Sequence, residues 1–70
     1  MISAWKLNHP EVQITVRTIR TKNGFNTRIW VETVRAVTYR ETTSMKVIED
    51  KDLVAILDEM YQELKESEVN

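Results

Sequence analysis

Apolar residues keep one period along the first two thirds of this chain and a different one from Asp50 onward. That single change constrains the fold more than any other feature. Between Val12 and Val34 apolar and polar residues alternate, as in strands with one face buried. From Asp50 the period is helical: Leu53, Ile56, Leu57, Met60 and Leu64 make one apolar stripe. Strands first and a helix last define an α+β chain in which one helix packs on one antiparallel sheet.

The strongest local signal inside the alternating region is Asn23-Gly24. This pair suits the two central positions of a type I′ hairpin turn, where both residues need φ > 0. It predicts Lys22 opposite Phe25, Thr18 opposite Ile29, Val16 opposite Val31 and Arg17 opposite Trp30. One face then collects Val12, Ile14, Val16, Phe25, Ile29 and Val31. The other collects Gln13, Thr15, Arg17, Ile19, Arg28, Trp30, Glu32 and Val34.

The remaining boundaries follow from weaker signals. Val34–Ile48 is rich in Thr, Val and Tyr and reads as further strand. Its most turn-like segment is Arg40–Ser44, which predicts a long second strand and a short third one around Met45–Ile48. A turn near Arg35–Ala36 is the alternative. Residues 1–10 form either a fourth strand or a segment folded over the sheet, with Asn8-His9-Pro10 as a break. The acidic amphipathic helix is expected over 50–66, capped by Asp50, followed by a frayed tail over 67–70. The expectation is a single domain over 1–70, (β)βββα, with an antiparallel sheet over 11–48 of three strands, or four where residues 1–10 add one. Its core holds Val12, Ile14, Val16, Ile29, Val31, Leu53, Ile56, Leu57, Met60 and Leu64.

With 70 residues the chain buries about 60% of its unfolded surface, so a net stability of a few kcal/mol is expected. The absence of cysteine excludes disulfides, zinc ribbons and thiol catalysis. Lys6 interrupts the first apolar stretch, and no apolar run approaches the roughly 20 residues that span a bilayer. A soluble cytoplasmic protein is expected.

Charge is divided along the chain. Residues 1–47 carry eight Lys or Arg against three Glu, a balance of +5, and residues 48–70 carry two Lys against eight acids, a balance of −6. The total of −1 conceals a dipolar molecule. Such a pattern points to recognition. His9 has Glu11 as its one local carboxylate, and Ser3, Ser44 and Ser67 have no base at motif spacing. Glycine-rich phosphate loops and nucleophile elbows are absent. The chain is therefore expected to be no enzyme, with no cofactor and no metal.

Two surfaces are candidates for partners. On the helix Glu59, Glu63 and Glu66 recur at i, i+4 and i+7 with Asp58 beside them. The simplest account is a solvated face; the functional one is an anionic stripe that docks on a basic partner. The second surface is the outer sheet face, comprising Arg17, Ile19, Arg28, Trp30, Val34, Arg40 and Lys46. One helix covers one face of a sheet, so this face needs residues 1–10, a second copy or a partner over it. Trp among Arg also suits nucleic acid, where cations hold phosphate and the ring stacks a base. The sequence pI of about 5.8 ranks a protein partner above nucleic acid. The expectation is a non-catalytic protein-binding module, homodimeric. It would be an inhibitor or adaptor of the kind found in phages and mobile elements, acting stoichiometrically, with nucleic-acid binding as the alternative. In topology alone the arrangement resembles the sheet-reading DNA-binding domains of some integrases, and no motif residue carries over.

Overall fold

The alternating stretch forms an antiparallel hairpin, and the helical stripe forms one long helix behind it. The computed structural model describes residues 2–69. They comprise helix α1 (Ile2–Asn8), strands β1 (Gln13–Thr21), β2 (Gly24–Glu32) and β3 (Val37–Ser44), and helix α2 (Asp50–Val69). The three strands make one antiparallel sheet in the order β1-β2-β3. The α+β class and the sheet-then-helix order agree with the sequence reading.

The hairpin register differs from the expected one. Thr21 pairs with Gly24, Thr18 with Thr27 and Val16 with Ile29, so the turn centres on Lys22-Asn23. A type I′ turn at Asn23-Gly24 would require φ > 0 at Asn23, and no described non-glycine residue has positive φ. Gly24 does, at φ 142°, and serves a different purpose. A Cβ there would collide with the Ser44 carbonyl oxygen on β3. The glycine answers to the close approach of the third strand and not to the turn. Because the pairing slips by two residues, one whole pleat repeat of one strand past the other, the face of every residue is preserved.

The second turn is the alternative one. The Thr33 backbone N–H donates to the Ala36 carbonyl at 2.9 Å, and β3 runs through the Arg40–Ser44 segment that composition marks as a turn. Met45–Ile48 links β3 to α2 instead of forming a strand. Cross-strand pairing of Thr and Tyr with β2 outweighs the local turn preference of that stretch.

Residues 2–10 supply neither a fourth strand nor a cover for the outer face. Ile2, Trp5 and His9 follow helical spacing, and α1 packs against α2. The His9 backbone N–H donates to the Lys6 carbonyl, and its Nδ1–H donates to the Trp5 carbonyl at 2.9 Å. Both close the C-terminal end of α1, whose last carbonyls have no helical partner. At the other end of the chain, the Glu49 carbonyl accepts from the Leu53 N–H at 2.9 Å. Asp50 therefore sits in the first turn of α2, where it and Asp52 complement the helix dipole. The helix continues through the expected tail to Val69, and Asn70 lies outside the described residues.

The buried core is Trp5, Val12, Ile29, Val31, Leu53, Leu57, Met60 and Leu64. Ile14, Val16 and Ile56, expected inside, are partly exposed at its border. The reason is lateral: α2 lies over β2 and β3, leaving β1 as a thinly covered edge. Trp5, carried by α1, completes the core beside α2. Leu57 is fully buried and Trp5 nearly so. Leu57→Ala should cost about 2–5 kcal/mol and Trp5→Ala about 3–5 kcal/mol, enough to unfold most of the population. Thermal denaturation followed by far-UV circular dichroism checks both, and an unchanged midpoint for either refutes this core.

Candidate interaction surface

Alternation places every second sheet residue on the face away from α2. Register then aligns these residues in rows across the three strands. The rows are Gln13–Glu32–Val37, Thr15–Trp30–Tyr39, Arg17–Arg28–Glu41 and Ile19–Asn26–Thr43. No described helix lies over this face, since α1 packs on α2 on the other side of the sheet. Val37 is 62% exposed, Tyr39 46% and Ile19 37%.

Side chains on this face are ordered by one another. The Trp30 and Tyr39 rings lie 5.0 Å apart at a 44° tilt. The Tyr39 hydroxyl donates to Glu41 Oε1 at 2.7 Å, and Asn26 Nδ2 donates to Glu41 Oε2 at 2.6 Å. Arg28 Nε donates to Asn26 Oδ1 at 3.1 Å. Hydrogen bonds from Tyr39 and Asn26 hold the Glu41 carboxyl below the usual carboxylate range. The same bond to Glu41 pushes the Tyr39 hydroxyl up. A chain of this kind fixes rotamers before any partner arrives and lowers the entropy lost on binding.

The predicted cation–ring pair is not present in that form. Arg17 faces Arg28, and Trp30 faces Thr15 and Tyr39. Arg40, expected on the outer face, points to the helix side because it pairs with Ile29. Its Nη1 and Nη2 donate to Glu59 and Glu63 at 2.6 Å each, and those bonds raise its already high pKa. Val34 stands in the β2–β3 turn, fully exposed, and Lys46 follows β3, so neither belongs to the sheet face. Ile19, at the hairpin end of β1, and Arg28 are where alternation puts them.

The acidic stripe is largely engaged within the molecule. Glu59 and Glu63 hold Arg40, and Asp58 accepts from Trp5 Nε1 at 2.6 Å. Glu66, at the far end of the stripe, also has an intramolecular interaction. Among the described residues Arg17, Arg20, Lys22 and Lys46 make no side-chain hydrogen bond or ion pair, and all four are exposed, Arg17 midway along β1 and the other three around the hairpin end of the sheet.

A second cluster escaped the sequence reading. The Trp5 and His9 rings stack at 4.0 Å, and Tyr61 meets both edge-on. The Tyr61 hydroxyl donates to Glu11 Oε1 at 3.0 Å. The Glu11 backbone N–H, this hydroxyl and the charges of Lys65 and His9 hold the Glu11 carboxyl below its ordinary range. Spacing of Ile2, Trp5 and His9 was the available signal. The cluster fastens α1 to α2, and its rings stack closed upon each other. Among the described residues no group of three or more His, Asp or Glu could hold a metal ion, and no helix is long and apolar enough to cross a membrane.

Comparison with protein-family models, with curated proteins and with solved structures finds no match.

Glu11 and Glu41 have lowered native pKa values, so the stability they contribute is present above the unfolded carboxylate pKa of about 4.3. It is lost as pH falls through the lower native values. The melting temperature of the wild type should drop more between pH 6 and pH 2 than that of a Glu11→Gln/Glu41→Gln variant. Parallel pH profiles for the two proteins would contradict these assignments.

Proposed function

We propose that this chain is a non-catalytic protein-binding module, an inhibitor or adaptor acting stoichiometrically in the cytoplasm, whose recognition surface is the outer sheet face. The observation that carries this reading is a bare face centred on Trp30 and Tyr39 with Arg17 and Arg28 beside them. Trp, Tyr and Arg are the residue types that dominate interface energetics, and they act best near the centre of a patch with a polar rim. Gln13, Glu32, Thr43 and Glu41 supply such a rim here. The acidic helix stripe supports partner binding less well, because Asp58, Glu59 and Glu63 already serve the fold.

Nucleic-acid binding is the second reading, favoured by the unpaired cations Arg20, Lys22 and Lys46 at the hairpin end and Arg17 midway along β1. Against it stand Glu32 and Glu41 on the same face, which repel phosphate. Pull-down from lysate with and without nuclease separates the two. The protein-binding reading predicts a captured protein that survives nuclease and is lost with Trp30→Ala. Capture that depends on nucleic acid, with log affinity falling by about 0.9 per neutralised phosphate per decade of salt and lost on Arg17→Glu, would replace it.

A further inference from the structure

We infer that, in the free protein, the outer sheet face is covered by a second copy of this chain, packed face to face with its strands running opposite to those of the first. The inference rests on the reading of that face as the recognition surface and adds what occupies it. Its basis is the order of charges along β2. Arg28, Trp30 and Glu32 stand on this face at successive outward positions, with the positive charge on one side of the aromatic row and the negative charge on the other.

Two sheets that pack by their faces can be related by a two-fold axis across the strands or along them. An axis across the strands, through the Thr15–Trp30–Tyr39 row, sets that row on itself and exchanges the rows on either side. Arg28 then faces the partner's Glu32, and by symmetry the contact forms twice. An axis along the strands would set Arg28 on its own copy and Glu32 on its own copy. The Arg17–Glu41 contacts it offers in return compete with the hydrogen bonds Glu41 already makes to Tyr39 and Asn26. Like charges apposed at an interface are disfavoured, so charge selects the antiparallel pairing. The Trp30 and Tyr39 rings, tilted together at 5.0 Å, form the centre of the contact. The pairing also relieves Arg17 and Arg28, which sit side by side across β1 and β2 with one sign of charge.

The contact is small. Three strands spaced at about 4.8 Å and some 20–27 Å of strand length give a projected footprint on the order of 300–400 Å² per protomer. A standard interface takes about 800 Å² from each partner, so association in the range of roughly 10–100 μM is expected.

Sedimentation equilibrium of the full chain across that range, extended to about 0.5 mM, tests the inference. Wild type should be in reversible monomer–dimer equilibrium. Arg28→Glu and Glu32→Arg should each weaken dimerisation at least tenfold, with far-UV circular dichroism confirming that each is folded. Mixed one to one, the two variants should associate within about threefold of wild-type strength, because each then presents opposite charges to the other. A monomeric wild type at the highest concentration, singles that dimerise as wild type does, or a mixture that stays monomeric would each overturn the antiparallel dimer. A monomer whose Trp30→Ala variant still loses a captured protein would leave the protein-binding reading standing. A dimer that captures nothing would do the reverse.

Discussion

A three-stranded sheet has two faces, and this chain has one long helix, with a single apolar stripe, with which to cover them. That constraint organises the molecule. α2 lays Leu53, Leu57, Met60 and Leu64 against Ile29 and Val31 of the central strand, and the short α1 fills the flank with Trp5. Nothing among the described elements remains for the other side. The outer face is consequently mixed, with Ile19, Trp30, Val37 and Tyr39 set among polar and charged residues. β1, at the edge and away from α2, is exposed along its hairpin half.

The division of charge along the chain is folded back on itself through β3. On its helix side this strand presents Thr38, Arg40, Thr42 and Ser44, with no large apolar residue. It is joined to α2 by the fork of Arg40 on Glu59 and Glu63, reinforced by the weak Thr38–Glu63 hydrogen bond. Those two glutamates lie at i, i+4, where like charges repel by about 0.2–0.5 kcal/mol. Arg40 removes that repulsion while anchoring the strand. The partners are more than a third exposed, so the whole arrangement contributes on the scale of surface ion pairs, about 1 kcal/mol or less for each. Its larger consequence is positional. Much of the negative charge is held on the helix side, while the cations of the hairpin end stay unpaired.

These placements also account for the perturbed side chains. The carboxylates with perturbed pKa values are each tied to a hydroxyl or amide that orders a surface, Glu41 on the outer face and Glu11 at the α1–α2 junction. His9 is stacked on Trp5 and bonded to its carbonyl. What distinguishes the outer face is the ordered Arg28–Asn26–Glu41–Tyr39 chain beside Trp30, whose side chains hold one another in place.

Sequence by itself determined the class of fold, the face of every residue in the hairpin and the apolar stripe of α2. The periods 2 and 3.6 are local, and burial on one side enforces them. It did not determine the register, because slipping one strand past the other by one pleat repeat leaves the faces intact and the deciding contact, Gly24 against the Ser44 backbone, comes from a strand twenty residues away. Nor could it settle the second turn, where pairing across β2 overrode local turn preference, or residues 1–10, where Ile2, Trp5 and His9 at helical spacing compete with the alternation of Trp5 and Leu7 against Ile2 and Ala4. The candidate site divides the same way. Trp30, Arg17 and Arg28 were legible as outward residues from alternation, whereas Tyr39 and the inward course of Arg40 depended on where β3 begins. Whether the acidic stripe faced solvent or served the fold was likewise a tertiary matter. Side chains far apart in sequence, Trp5 with Asp58 and Arg40 with Glu59 and Glu63, meet only once the helix has crossed the sheet.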